Sequence, residues 1–153
     1  MTIQEISTAN VTSCSPDTDL AAVAKIMWDC DCGAVPVVTE DRKLVGMITD
    51  RDICIAAATR ATVPADIRVR DVMSTKVHAC RPQDDVRTVM KTMKDHRVRR
   101  VPIVDAQQRL AGIVSVNDLV AHAEYRKDAE VPGDLFIDTM KAICAHQTAA
   151  VAV

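Results

Sequence analysis

The chain has 153 residues, a formal net charge of -2, 26% charged and 48% hydrophobic residues, which is the balance of an ordinary globular protein of single-domain size. That near-neutral charge excludes a basic footprint for nucleic acid or anionic membrane, and Trp28, Tyr125 and Phe136 are too few aromatics for a base-stacking platform. The segment Met1 to Ser7 has neither a basic start nor an apolar run, and no stretch nears the roughly 20 apolar residues of a membrane span, so a cytoplasmic protein with its six cysteines as thiols is expected.

Taken in chain order, the elements come twice. Ile3-Gln-Glu-Ile6 is a short lead-in, and a strand is predicted around Val11. Pro16 and the helix-start residues Asp17, Thr18 and Asp19 precede Leu20, Val23, Ala24 and Met27, which recur at helical spacing. Val35-Pro-Val-Val38 reads as a short buried strand, Thr39 to Lys43 as a polar turn, Leu44 to Ile48 as a second strand, and Ile53 to Ala58 as a closing helix. Residues 59–68, with Pro64, form a linker.

The series then repeats at a constant spacing of 66 residues (Val11 to Val77). Its second round has the lead-in Val69-Arg-Asp-Val72, a strand at Val77, and a helix carrying Val86, Val89, Met90 and Met93. The strand Val101 to Val104, the turn Asp105 to Arg109, the strand Leu110 to Val114 and a helix through Leu119 to Ala123 complete it. Between Val11 and Asp52 roughly a third of positions are identical to their partners without a gap, the mark of an internal duplication. Each copy reads β-α-β-β-α. The predicted class is α+β, with units at 3–58 and 69–124 packed face to face about a pseudo-twofold axis. Cys14 and Cys80 hold equivalent positions and read as small strand hydrophobes.

Residues 125–153 form a tail outside the repeat. A charged stretch ends in Pro132-Gly133, Asp134 is expected to cap a short helix, and Phe136, Met140, Ile143 and Cys144 fall on one helical face. That helix either packs on its own domain or clasps a dimer partner. Thr148 to Val153 reads as a frayed end.

Candidate chemistry sits where the second strand of each copy meets its last helix, at Thr49-x-x-Asp52 and Ser115-x-x-Asp118. Such a tetrad serves as a helix capping box, although Asp is shorter than the Glu or Gln that usually closes one. It also suits a nucleotide. Free N–H groups and a hydroxyl at a helix start favour phosphate, an Asp one turn in can accept from ribose hydroxyls, and the preceding Gly46 or Gly112 lets a ligand approach the backbone.

The Gly-hydrophobic-hydrophobic-Thr/Ser-x-x-Asp ending, the Val-Pro-hydrophobic strand and the tandem register resemble a pair of CBS (cystathionine-β-synthase) domains over about residues 3 to 124. The resemblance is to small stand-alone bacterial CBS-domain proteins. It implies a two-lobed module whose clefts bind adenosine compounds such as AMP, ATP, NAD(H) or S-adenosylmethionine, and which often pairs into a disc-shaped homodimer. By that pattern Thr49 and Asp52 would face His78 and the segment Val98, Arg99, Arg100, Val101, whereas Ser115 and Asp118 would face Thr12 and the segment Cys32, Gly33, Ala34, Val35. The first cleft gathers Arg51, Arg99 and Arg100 for phosphate, since a guanidinium suits bidentate contact. The second offers Gly33 and Ala34 there, and Val116-Asn117 replaces Asp50-Arg51. The run His96 to Arg100 reads otherwise as a solvated basic patch or as ion pairs with acidic helices.

Catalytic signatures are missing: no Walker-type glycine loop, no Gly-x-Ser-x-Gly and no His-x-x-x-His pair occurs. The expected function is therefore a non-catalytic regulatory module that needs no cofactor, takes an adenine nucleotide as regulatory ligand and signals to an effector protein the sequence does not identify. Two alternatives stand beside it. One is a structural dimerisation module with empty clefts. The other is a thiol- or metal-responsive sensor using Cys30, Cys32 and His96 or His78.

Overall fold

The computed structural model describes residues 1–124 and 129–145. The charged stretch at 125–128 and the end expected to fray from Thr148 lie outside them. The elements in order are α1 (Ile3–Ile6), β1 (Thr8–Ala9), α2 (Leu20–Asp29), β2 (Ala34–Val38), β3 (Leu44–Thr49) and α3 (Asp50–Thr59). After 3₁₀ turns at Pro64–Asp66 and Val69–Asp71 come α4 (Val86–His96), β4 (Arg100–Val104), β5 (Leu110–Ser115), α5 (Val116–His122) and α6 (Gly133–Cys144). The fold is α+β. Among the described residues no helix is long and apolar enough to cross a membrane.

Local chemistry sets the element ends. The Asp19 carboxylate accepts from the Ala22 N–H at 2.9 Å and the Asp85 carboxylate from the Arg87 N–H at 2.8 Å, so α2 and α4 begin at side-chain caps. Buried Val-Pro-Val and Val-Pro-Ile runs pair antiparallel with their neighbours, β2 with β3 and β4 with β5, each with one register shift near the hairpin.

The strands predicted at Val11 and Val77 shrink to single parallel bridges, Cys14 with Val37 and Cys80 with Ile103. Prolines explain the loss. Cys14 donates to Pro36 C=O and accepts from the Val38 N–H, but extending the ladder needs an N–H at Pro16 or at Pro36, and neither has one. Pro82 and Pro102 impose the same limit on the second copy. Both cysteines are buried, which pushes the Cys14 thiol up to about 11 and the Cys80 thiol upward as well. They act as core atoms rather than nucleophiles.

Each lead-in crosses to the other copy. The Ile3 N–H donates to Asp84 C=O and the Gln4 N–H to Pro82 C=O, while the Val69 N–H donates to Thr18 C=O and the Arg70 N–H to Pro16 C=O. β1 pairs with β5 through Thr8 and Ile113, and Ser74 bridges Met47 in the same way. Ile3 and Ile6 accordingly belong to one core with Val86, Val89, Met90, Met93, Val101 and Leu119. Ile67 and Val69 belong to the other with Leu20, Val23, Val35, Val37 and Ile48. The hairpin tips close the far end of the pseudo-twofold axis, where Leu44 N–H donates to Gln108 C=O and Leu110 N–H to Arg42 C=O.

This exchange corrects the reading of two glycines. A Cβ on Gly112 would stand 2.9 Å from Thr8 O, and one on Gly46 would stand 2.6 Å from Met73 Sδ and 3.1 Å from Ser74 O. Both glycines make room for the crossing lead-in, not for a ligand.

The tail helix α6 packs along α4 of its own chain, with Leu135, Phe136, Met140 and Ile143 against the second core. It begins two residues earlier than expected, at Gly133, with Pro132 rather than Asp134 in the cap position. Asp134 stands in the first turn, and its carboxylate accepts from the Leu135 N–H at 2.8 Å. Thr139 replaces Cys144 on the packed face, and Cys144 is exposed.

Candidate functional site between the two copies

A cleft of about 1010 Å³ opens between the copies and is lined from both. Ten of the expected residues meet there: Thr49, Arg51, Asp52, His78, Val98, Arg99, Arg100, Gly33, Ala34 and Ser115. The two expected clefts thus share one opening, in which the start of α3 faces the end of α4 and the start of β4.

Five expected residues lie elsewhere. Val101 and Val35 are 0% and 1% exposed, because strand alternation turns them into the cores while Arg100, Pro102 and Ala34 edge the cleft. Asp118 sits behind Ser115 in its cap, and Thr12 accepts from the Cys30 thiol at 3.7 Å. Cys32 lines a separate groove of about 360 Å³ with Trp28, Asp50, Ile53 and Cys54.

The Thr49 tetrad forms a complete capping box. Thr49 N–H and Oγ1–H donate to Asp52 Oδ2 at 2.9 and 2.7 Å, and the Asp52 N–H donates to Thr49 Oγ1 at 3.2 Å. Ser115 and Asp118 repeat it, with donations to Asp118 Oδ2 at 2.7 Å. The shorter acid closes the box after all, because one oxygen receives both donors. Among the described residues Asp52 Oδ1 has no hydrogen bond, so one acceptor remains for a sugar hydroxyl.

The helix start itself is not free. Asp50 N–H donates to Gly33 C=O at 3.2 Å, Arg51 N–H to the Asp50 carboxylate at 2.7 Å, and Asp52 N–H to Thr49. An anion entering at this end would meet side chains rather than free backbone N–H groups. Arg51, Arg97, Arg99 and Arg100 line the cleft, and among the described residues none forms an ion pair or a side-chain hydrogen bond. Outside it, the side chains of Arg42, Arg60, Arg68, Arg70 and Arg87 make hydrogen bonds, whereas among the described residues those of Arg81 and Arg109 make none. Among the described residues the ion pairs considered for the basic run are not made.

Outside the expected site residues, the cleft is also lined by Met47, Asp50, Ser74, Lys76, Val77, Arg97, Pro102, Val116, Asn117 and Met140. Strand alternation from His78 pointed to Lys76. Met140 had no signal, since α6 lies outside the repeat.

A family model for the CBS domain matches residues 3–58 and 69–125. The chain belongs to the CBS domain family. It is 30% identical over 144 residues to Hypoxic response protein 1 of Mycobacterium tuberculosis, covering 94% of each chain. It is 34% identical over 120 residues to the CBS domain-containing protein YhcV of Bacillus subtilis, covering 78% of this chain and 84% of that one. Among solved structures, Hypoxic Response Protein I with two coordinated zinc ions superposes with a TM-score of 0.73 at 31% identity, over 80% of this chain and 98% of the other. The CBS domain pair of protein MJ0100 with 5-methylthioadenosine and S-adenosyl-L-methionine gives 0.72 at 26% identity, over 79% and 98%. The two CBS repeats account for the duplicated elements and for the cleft between them.

Proposed function

We propose that this CBS pair is a non-catalytic regulatory module that binds an adenine nucleotide of the AMP, ATP or NAD(H) class in the cleft between its units. The observation that carries the reading is the set of four cleft arginines without a counter-ion among the described residues, beside an Asp with one unoccupied carboxylate oxygen. Guanidinium groups left without a partner match an anionic ligand, and the carboxylate matches a ribose. The adenosine ligands in the MJ0100 structure support the adenine part of the assignment. Occupancy shifts the population of relative unit positions and so the surface shown to an effector protein.

Calorimetry with AMP and adenosine tests this. Both should bind, AMP more tightly. Arg100→Ala should weaken AMP by about 1.5–3 kcal/mol, the range of hydrogen bonds to charged groups, and leave adenosine almost unchanged. Equal losses for the two ligands would mean that Arg100 shapes the pocket without meeting phosphate. No binding of either would favour the structural module with an empty cleft.

The zinc in Hypoxic Response Protein I is not extended to this chain. Among the described residues no three His, Cys, Asp or Glu side chains gather as a metal site, and Cys32 lines a different groove from His78.

The homodimer in this reading uses the α2–α3 face of the first unit. Trp28 is 86% exposed and Ile55 49%, and the equivalent positions of the second copy hold the polar Lys94 and the small Ala121. Aromatic anchors dominate protein interfaces. Trp28→Glu should convert the dimer to monomer in analytical ultracentrifugation without lowering the melting temperature of the monomer; an unchanged dimer would move the interface elsewhere.

A further inference from the structure

His78 and His96 stack face to face, with ring centroids 3.4 Å apart and planes 6° from parallel. His78 lies on the segment that enters the second unit and lines the cleft, while His96, the last residue of α4, backs it. Two imidazoles at this separation repel strongly if both are protonated, so the pair holds at most one proton readily.

The charged groups around the pair come from every neighbouring element. They are Lys76 on its own segment, Lys94, Asp95 and Arg97 at the end of α4, Arg99 and Arg100 beyond it, and Asp50, Arg51 and Asp52 across the cleft. Positive groups predominate. Burial, then His96, then Lys76 push His78 below the ordinary imidazole range. Without an anion in the cleft, these surroundings favour the neutral form of His78. An anion in the same cleft reverses the local sign and favours the protonated ring.

We infer that the His78–His96 pair takes up a proton from solvent when an anionic ligand fills the cleft, so that the module reads phosphate charge and pH together. The inference rests on the nucleotide reading for its biological ligand, but it can be probed without a nucleotide. By linkage, a ring whose protonated form is favoured in the complex strengthens binding below its bound-state pKa and loses that gain as pH rises through it. One proton limits the effect to about tenfold in affinity per pH unit, within the histidine range.

Two measurements test the pair. The first is a histidine ring titration by NMR with and without sulfate, which keeps its charge across the histidine range. Sulfate should raise the titration midpoint of His78 in the native chain, and this rise should shrink in His96→Gln. Rings that titrate alike with and without sulfate would overturn the proposal. The second is NAD affinity from about pH 5.5 to about pH 8, a ligand whose pyrophosphate diester does not titrate there, unlike a phosphate monoester with its second pKa near 6. Affinity should fall severalfold with rising pH in the native chain and should be nearly flat in His78→Gln. Tight NAD binding independent of pH would sink the proton coupling and leave the nucleotide reading standing. A sulfate-shifted ring with no NAD binding would do the reverse.

Discussion

Ile3→Ala should destabilise the protein by about 2–5 kcal/mol, the cost of emptying a buried aliphatic site, even though it lies three residues from the N-terminus. Chain ends are ordinarily tolerant because they bury little. Ile3 is 0% exposed, and the core that contains it is that of the second copy, with Met90, Met93 and Leu119. For a domain of this size each kcal/mol corresponds to about 2–4 °C, so a loss of roughly 4–20 °C in melting temperature is expected. The loss should also be located. Hydrogen exchange should quicken in α4, β4 and β5, more than 80 residues away in sequence, before it quickens in α2. Val69→Ala should mirror it in the first core, to a smaller extent because fewer methyl groups are removed. A change within about 0.5 kcal/mol, the size of a surface substitution, would show that the crossing lead-ins are not part of the cores.

The duplication made most of the architecture readable, because a constant 66-residue spacing aligns every helix start, strand and turn with a second instance. What escaped depends on pairing between copies. Ile3-Gln-Glu-Ile6 and Val69-Arg-Asp-Val72 were visible as matched segments, but a pattern of apolar residues does not say which core they enter. Gly46 and Gly112 were visible as preserved glycines, and only the positions of Thr8, Met73 and Ser74 reveal that they admit backbone and side chain of a crossing segment. The strands at Val11 and Val77 were over-read for a different reason. β-propensity there is genuine, but a ladder needs donors, and the prolines flanking each bridge remove them.

In the candidate site, residue types were legible and their states were not. Thr49, Asp52, Arg99 and Arg100 stand out by spacing and charge. That the N–H groups of α3 are already engaged, while the guanidinium groups are not, is a fact of three-dimensional geometry. In the proposed nucleotide reading, this difference assigns the phosphate to the arginines instead of the helix start.

Asp52→Ala separates the two roles that its position combines, and Asp118→Ala is its built-in control. Both acids close the same box on the same kind of helix start, accepting from the N–H and hydroxyl of Thr49 or Ser115. Losing such a cap costs about 1 kcal/mol, so the two variants should lose similar, modest stability. Binding should not follow that pattern. Asp52 lines the arginine-rich cleft with one oxygen still available, whereas Asp118 does not line it. Asp52→Ala should therefore weaken AMP by about 1.5–3 kcal/mol, roughly 10- to 150-fold, the range for a hydrogen bond to a charged group. Asp118→Ala should weaken it by much less. Adenosine should suffer from Asp52→Ala nearly as much as AMP does, since ribose is common to both, which is the opposite of the selectivity expected for Arg100→Ala. If both alanine variants melt lower by the same amount and neither changes AMP affinity, Asp52 is a helix cap alone, and the ribose contact must be sought elsewhere in the cleft.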